Sequence, residues 1–99
     1  MSARKNPKYL DWVRTLRCVE CGGRAEPHHF IGEFGLSGVG ITAPDMFSMP
    51  LCRKHHREIH DHDEGWRTLQ REYLIRTIIR GFESGRIIIS DQGVAQCAT

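Results

Sequence analysis

Apolar residues near the start of the chain recur at the spacing of an amphipathic helix. Leu10, Val13 and Leu16 fall on one face of such a helix. Asn6 is well suited to the N-cap and Pro7 to the first helical position, because proline has no N–H to leave unbonded there. We therefore predict a helix that begins at Pro7 and leads towards Cys18.

The middle of the chain alternates short extended segments with turn residues. Strands are predicted over Arg24–Phe30 and Asp45–Pro50, which together would form a hairpin with a long connection. That connection, Gly32–Pro44, contains four glycines and has the composition of a mobile loop. A helix over Arg53–Asp61 follows the second strand.

The last predicted helix, Glu64–Phe82, has apolar residues on two sides rather than in one stripe. At about 100° per residue, one side carries Trp66, Leu69, Tyr73 and Thr77, and another carries Leu74, Ile75, Ile78, Ile79 and Phe82. Either this helix is covered on both sides, or its second half meets a partner. Gly85 ends it, Arg86–Ile89 is predicted to be a short strand, and residues 91–99 are predicted to be a flexible tail.

Length and composition indicate a single small domain over residues 1–90 with a modest core. The chain has 99 residues, of which 39% are hydrophobic, and chains of this size often need a structural metal or another cross-link. We find no transmembrane segment and no signal peptide, so we expect a cytoplasmic protein. Thiols stay reduced there, and closely spaced cysteines favour metal binding over disulfides.

The overall charge says little about partners, whereas the type of basic residue says more. The formal net charge is only +2, but eleven arginines stand against three lysines. Arginine presents a planar fork of donors that matches phosphate oxygens. For any single arginine, a solvated surface position remains the more common explanation.

Four residues have the spacing of a closed zinc site. Cys18 and Cys21 lie three apart before two glycines, and Cys52 and His55 repeat that spacing further along. Thiolate and imidazole ligands suit tetrahedral zinc with no open position, which is a structural rather than a catalytic site. The alternative is two unrelated pairs of free side chains.

The remaining histidines of this region predict a second, open site. His56 and His60 are four apart, so they stack on one face of a helix, and His28 is available from the first strand. Three imidazoles bind a divalent ion and leave positions free for water and phosphate. On a strand, His29 points away from His28, where it can act as a general base.

With these residues assembled, the chain resembles the HNH endonucleases, also called ββα-metal nucleases, and especially the small zinc-bearing members of bacteriophages and prophages. The matching residues span 18–61 and comprise Cys18-x2-Cys21, Pro27-His28-His29, Met49-Pro50-Leu51-Cys52 and Cys52-x2-His55-His56-x3-His60. The resemblance implies an α+β fold, in which a ββα-metal core is stapled by a structural zinc and flanked by an N-terminal and a longer C-terminal helix.

The resemblance also implies a function, namely metal-dependent hydrolysis of DNA that leaves 5′-phosphate and 3′-hydroxyl ends. His28, His56 and His60 would hold one catalytic divalent ion (Zn2+, Ni2+, Mn2+, Co2+ or Mg2+), and His29 would be the general base. Arg53, Lys54 and Arg57, beside the helix ligands, are candidates to hold flanking phosphates of the DNA. The glycine-rich connection over residues 32–44 is equally compatible with a DNA-contacting flap and with a tolerated insertion.

The sequence departs from the family pattern at two positions. His55 stands where a fourth zinc cysteine is usual, which is a mild chemical exchange. The central Asn of the motif falls near Phe47, whose side chain cannot form a hydrogen bond. Asp45, Ser48 or a backbone carbonyl could then orient His29.

Two other functions stay open at this stage. One is a zinc-stapled DNA-binding or assembly module with little or no nuclease activity. The other is a protein–protein module, in which the helix over residues 64–82 mediates a homodimer or a larger phage or host complex. If the chain is encoded by a phage, its location would be the cytoplasm of the host cell.

Overall fold

The computed structural model describes residues 4–38, 40–90 and 93–96. The elements in chain order are α1 (Pro7–Arg14), β1 (Glu26–His29), a 3₁₀ turn (Asp45–Phe47), β2 (Ser48–Leu51), α2 (Arg53–His60), α3 (Trp66–Glu83), β3 (Ile87–Ser90) and β4 (Gly93–Gln96). The protein is therefore a small α+β structure, as predicted. No helix in the described ranges is long and apolar enough to cross a bilayer.

Helix α1 begins as the sequence predicts. The Asn6 side chain accepts a hydrogen bond from the Tyr9 N–H at 3.3 Å, and Pro7 is the first helical residue. The helix buries Tyr9, Trp12 and Val13, which form a small core cluster with Ile87. This cluster joins α1 to the start of β3.

Strands β1 and β2 pair in antiparallel register, with His28 opposite Met49 and His29 opposite Ser48. Both strands are shorter than predicted. The predicted strand over Asp45–Pro50 is wrong at its start, where the chain forms the 3₁₀ turn instead. The Ser48 hydroxyl donates to the Asp45 carbonyl at 2.6 Å and closes that turn, because short polar side chains compete for backbone groups at turns.

The connection between the two strands is glycine-rich and largely irregular, as expected. Within the described parts of residues 32–44, the only backbone pairing of strand type is a bridge between Gly38 and Ile41. Gly32 has φ +73°, and a Cβ atom placed there would lie 2.9 Å from the Trp66 ring. The start of this connection is therefore packed closely against α3.

Helix α3 confirms the division of its apolar residues between two sides. The buried face carries Trp66, Gln70, Tyr73, Thr77 and Gly81. On the other side, Ile75, Ile79 and Phe82 remain 58%, 49% and 42% exposed. The buried face also holds a glutamine, which apolar periodicity alone does not single out.

The prediction of a flexible tail over residues 91–99 is wrong for residues 93–96. Residues 93–96 form β4, which pairs in antiparallel register with β3. Asp and Gly at positions 91 and 93 are residue types that favour turns, and this sequence signal indicates a strand on each side. Cys97 and the other residues beyond Gln96 lie outside the described residues.

Candidate metal centres

The four predicted zinc ligands come together although they lie in two distant segments. Cys18 and Cys21 lie on the turn that follows α1, where the Gly22 N–H donates to the Cys18 carbonyl at 2.8 Å. Cys52 is the N-cap residue of α2, and His55 lies in its first turn. One ligand atom from each residue falls within 4.8 Å of the others, so the cluster can hold a metal ion. We refer to these residues as the cysteine cluster.

The interatomic distances of the cysteine cluster fit a tetrahedral ion. Around zinc, with bonds of about 2.3 Å to sulfur and 2.0–2.1 Å to nitrogen, two sulfurs lie about 3.8 Å apart and a sulfur–nitrogen pair about 3.6 Å. The Sγ atoms of Cys21 and Cys52 are 3.8 Å apart, and Cys18 Sγ is 3.7 Å from His55 Nδ1. Cys52 Sγ and His55 Nδ1 are closer, at 3.0 Å. The donor atoms and the first two distances are compatible with a structural zinc site, whereas the Cys52–His55 pair would have to separate by about 0.6 Å to share the ion.

The electrostatics of the cysteine cluster also favour a cation. Burial alone would raise the pKa of the Cys18 thiol, but backbone hydrogen bonds at Cys52, Cys21 and Glu20 bring that pKa down to about 6. Burial by itself would lower the pKa of His55, yet the neighbouring Cys52 and Cys18 sulfurs raise it. The lowered pKa of Cys18 favours thiolate at neutral pH, and thiolate is the form that ligates a metal. At Cys21, a backbone hydrogen bond at Gly23 lowers the pKa, but the neighbouring Cys18 and Cys52 side chains raise it overall.

The second predicted site is also assembled in the structure. His28 comes from β1, while His56 and His60 come from successive turns of α2. Their ligand nitrogens lie within 4.8 Å of one another, and their ring centroids are 4.6–5.3 Å apart. His28 is buried and His60 is exposed, so the group opens to solvent on one side. We refer to these three residues as the histidine triad.

Two nitrogens of the histidine triad are buried and make no hydrogen bond. One is Nδ1 of His28 and the other is Nδ1 of His56. The His56 atom lies 3.4 Å from a Glu26 carboxylate oxygen, an ion-pair distance without hydrogen-bond geometry. Because buried polar atoms are rarely left unsatisfied, such atoms need an explanation. A divalent ion bonded to imidazole nitrogen would supply one.

Burial keeps His28 neutral. Desolvation lowers the pKa of His28 to about 4, although the hydrogen bond with Gln70 acts to raise it. A neutral imidazole is the form that binds a metal. Gln70, whose Oε1 lies 3.1 Å from His28 Nε2, is a residue that sequence reasoning missed.

His29 points elsewhere and has its own partner. Its Nε2 atom lies 3.0 Å from Asp45 Oδ1, and the other Asp45 oxygen accepts from the Asn6 N–H at 2.6 Å. Burial would raise the pKa of Asp45, but the bonds from Asn6 and His29 lower it, so the carboxylate stays ionised. Of the candidates named to replace the missing Asn, Asp45 is the one that contacts His29. Phe47 contributes its carbonyl to the Phe30 N–H.

The predicted phosphate-binding residues line a separate part of the surface. Arg53, Lys54 and Arg57 share a cavity of about 450 Å³ with three carboxylates, and the described residues lining it include none of the histidines. The carboxylates are those of Glu58, Asp61 and Asp63. A different set of cations lies beside His29, in a cavity of about 580 Å³ that Arg4, Lys5, Arg14 and Asp45 help to line.

Fold and site together define a small α+β protein with two candidate metal centres that share one helix. The sequence profile of a family described as "Protein of unknown function (DUF968)" matches residues 1–85, and the chain belongs to that family. The match includes the cysteine cluster, the histidine triad, His29 and Gln70.

A relative in Escherichia coli (strain K12), described as "Uncharacterized protein YdfU", is 54% identical to this chain over 54 residues. The aligned part is 54% of this chain but only 15% of that protein, so the chain is similar to a small portion of a longer polypeptide. No solved structure matches the chain at a significant level.

Proposed function

We propose that this protein is a metal-dependent DNA endonuclease of the ββα-metal type. The observation that carries the proposal is the meeting of two groups at one cavity of about 360 Å³, which is lined by both His29 and His60. His60 belongs to the histidine triad, and His29 belongs to a histidine–carboxylate pair with Asp45. A metal-binding group next to an oriented base is the arrangement that phosphodiester hydrolysis requires.

In this proposal, Asp45 and His29 move the proton. The Asp45 carboxylate accepts from His29 Nε2–H and so holds the neutral imidazole with its Nδ1 atom bare. Nδ1 takes a proton from water as that water attacks phosphorus. Asp45 stabilises the imidazolium that forms, because an ionised carboxylate favours the charged partner.

The histidine triad would hold one divalent ion, which would polarise the scissile phosphate and neutralise charge on the leaving 3′ oxygen. Three imidazole nitrogens favour Zn2+, Ni2+, Co2+ or Mn2+ over Mg2+, which prefers oxygen ligands. The cysteine cluster offers no comparable opening, because all four tetrahedral positions would be filled by protein atoms. We therefore assign zinc there a structural role only.

Charge favours a path for DNA on the His29 side of the molecule. The lining of the cavity beside His29 has three cations and one carboxylate, and Arg14 also pairs with Asp11 at 2.8 Å, whereas the cavity at Arg53, Lys54 and Arg57 has three cations and three carboxylates. Both the 580 Å³ and the 360 Å³ cavities are lined by His29, Thr42 and Ala43. The two cavities therefore adjoin at His29, the proposed general base. We propose that Lys5 and Arg14 contact flanking phosphates, in place of the three α2 residues.

A plasmid-nicking assay tests the proposed function. Supercoiled DNA is incubated with the protein and Mg2+, Mn2+, Co2+, Ni2+ or Zn2+ in turn. We expect nicking with at least one transition metal, and a rate about 10²–10⁴-fold lower for His29→Ala, the range expected for loss of a general base. His62→Asn is a matched control, because His62 lines the same cavity without belonging to the triad.

Equal background cleavage by wild type and His29→Ala would refute the catalytic role. Salt-dependent DNA binding without cleavage under any metal would instead support the alternative, a zinc-stapled DNA-binding or assembly module.

A further inference from the structure

Gln70 is a fully buried amide whose orientation is fixed by the backbone of another element. It lies on the buried face of α3 with 0% exposure. Its Nε2 group donates to the Ile31 carbonyl at 2.9 Å, and its Oε1 atom accepts from the Ile31 N–H at 2.8 Å. Rotating the amide by half a turn would place donor against donor and acceptor against acceptor. Only one orientation therefore satisfies both Ile31 groups.

This orientation determines which nitrogen of His28 carries the proton. His28 Nε2 lies 3.1 Å from Gln70 Oε1, an oxygen that can only accept. Nε2 must therefore be the protonated nitrogen of the neutral ring, and Nδ1 must be bare. Nδ1 is the buried atom that has no hydrogen-bond partner.

The bare atom is the one available to the histidine triad. With Nε2 taken by Gln70, Nδ1 is the sole remaining ligand atom of His28, and the three histidines offer ligand atoms within 4.8 Å of one another. Ligating histidines commonly use their second nitrogen to bond a carboxylate or carbonyl, which sets the ring orientation and strengthens the ligand. Here a side-chain amide takes that position, 42 residues further along the chain.

We propose that Gln70 is a positioning residue that holds His28 as the Nε2–H tautomer and thereby makes Nδ1 the metal-binding atom. The inference rests on the proposed metal centre, and it gives α3 a part in the site as well as in the core. Loss of such a partner typically weakens metal binding 10–100-fold.

The first test determines the tautomer of His28 in protein that carries zinc in the cysteine cluster and no ion at the histidine triad. Nitrogen-15 NMR of the imidazole rings distinguishes a protonated ring nitrogen from a bare one. We expect His28 to be protonated at Nε2 in wild type and to become a mixture of tautomers in Gln70→Met, which keeps the length of the side chain but removes its acceptor. A wild-type His28 protonated at Nδ1 would overturn the proposal without any reference to metal.

The second test titrates the protein with Co2+ and uses the cysteine cluster as an internal control. Thiolate-to-cobalt absorption reports that cluster separately from the histidine triad. We expect Gln70→Met to weaken only the triad, by 10–100-fold, and Gln70→Glu to weaken it less, because Glu keeps an acceptor towards His28 although it loses the donor to the Ile31 carbonyl. Thr77→Val removes another buried polar group from the same helix face and should leave both sites unchanged.

The two hypotheses fail in different ways. If Co2+ binds the cysteine cluster alone in wild type, the proposed catalytic centre is wrong, while the NMR result still decides the role of Gln70. If the triad binds Co2+ equally well in wild type, Gln70→Met and Gln70→Glu, the positioning role is wrong and the nuclease proposal stands.

Discussion

The cysteine cluster and the histidine triad are both built on α2, but their chemical environments are opposite. The cluster gathers three sulfurs and one imidazole, and the pKa of its buried Cys18 thiol is lowered. The triad gathers imidazoles around the buried and neutral His28, and it opens to a cavity through His60. If both groups hold the proposed ions, the first would join two segments of the chain, whereas the second would leave room for a substrate. The comparison indicates that one helix can serve both purposes when successive residues face different directions.

The largest expected effect would come from removing a ligand of the cysteine cluster. Cys52→Ala should abolish cooperative unfolding, because structural zinc can supply about 10–16 kcal/mol of apparent binding energy to small domains. His56→Ala should leave the fold and one bound zinc intact. Circular dichroism and metal analysis of both variants check this contrast. A Cys52→Ala protein that unfolds like the wild type would remove the distinction between a structural and a catalytic centre.

The next largest effect concerns the orientation of His29, the proposed general base. Asp45→Asn removes the charge next to His29 and allows the wrong tautomer, so we expect DNA cleavage to fall about 10²–10⁴-fold. Metal content at both centres should stay the same, since Asp45 belongs to neither. Single-turnover cleavage and metal analysis measure the two quantities. Ser48→Ala is the control, because the Ser48 hydroxyl closes the same turn by donating to the Asp45 carbonyl, whereas the carboxylate bonded to the His29 ring is that of Asp45. Similar losses in both variants would assign the effect to the turn.

The pH dependence of protein that carries zinc in the cysteine cluster and no ion at the triad gives a smaller effect that is specific to the triad. Above pH 6.5, His28 is neutral in both the folded and unfolded chains and has no influence on stability. As the pH falls from 6.5 to about 4, the unfolded chain binds the proton first, because burial lowers the pKa of the folded-state group to about 4. The free energy of unfolding should therefore fall by about 3 kcal/mol across this window.

Urea denaturation at a series of pH values measures that loss of stability. The His28→Gln variant should lose much of the slope, whereas His62→Asn should keep it. Asparagine is a suitable replacement at position 62 because it tolerates the φ of +56° found there. An unchanged slope in His28→Gln would contradict the view that a neutral His28 distinguishes the triad from the thiolate-rich cluster.

The smallest effect concerns the basic surface beside His29, the proposed general base. Lys5→Gln and Arg14→Gln should each weaken DNA binding a few-fold, and each should reduce the slope of log affinity against log salt by about 0.9 for every phosphate that the variant no longer neutralises. Arg53→Gln and Lys54→Gln serve as charge-matched controls from the α2 surface. Fluorescence anisotropy at several salt concentrations measures the slopes. A greater weakening of DNA binding by the α2 pair would restore the original assignment of those residues to DNA.

The ligand sets could be predicted because their signals are local. Cys18 and Cys21, Cys52 and His55, and His56 and His60 each carry their spacing in the chain itself, and the structure brings them into the two expected groups. Helix starts were also readable from capping residues such as Asn6. Strand limits were less accurate, since a single turn can replace the end of a strand.

The supporting residues were harder to predict because their roles depend on long-range packing. The residues next to Gln70 in the sequence do not indicate a contact with a histidine 42 residues away. One signal was present, since Gln70 has the same helical spacing as Trp66, Tyr73 and Thr77 and thus had to be buried with them. Asp45 was one of three candidates, and only the 3₁₀ turn places its carboxylate against His29.

The adjacency of His55 and His56 has a consequence for how the protein matures. One ligand of each centre is attached to the same turn of α2, and the first centre also joins that helix to the segment after α1. If zinc fills the cluster, it fixes the N-terminal end of α2 and so helps to hold His56 and His60 opposite His28. A cell short of zinc would then weaken the proposed second centre even when other divalent metals are plentiful.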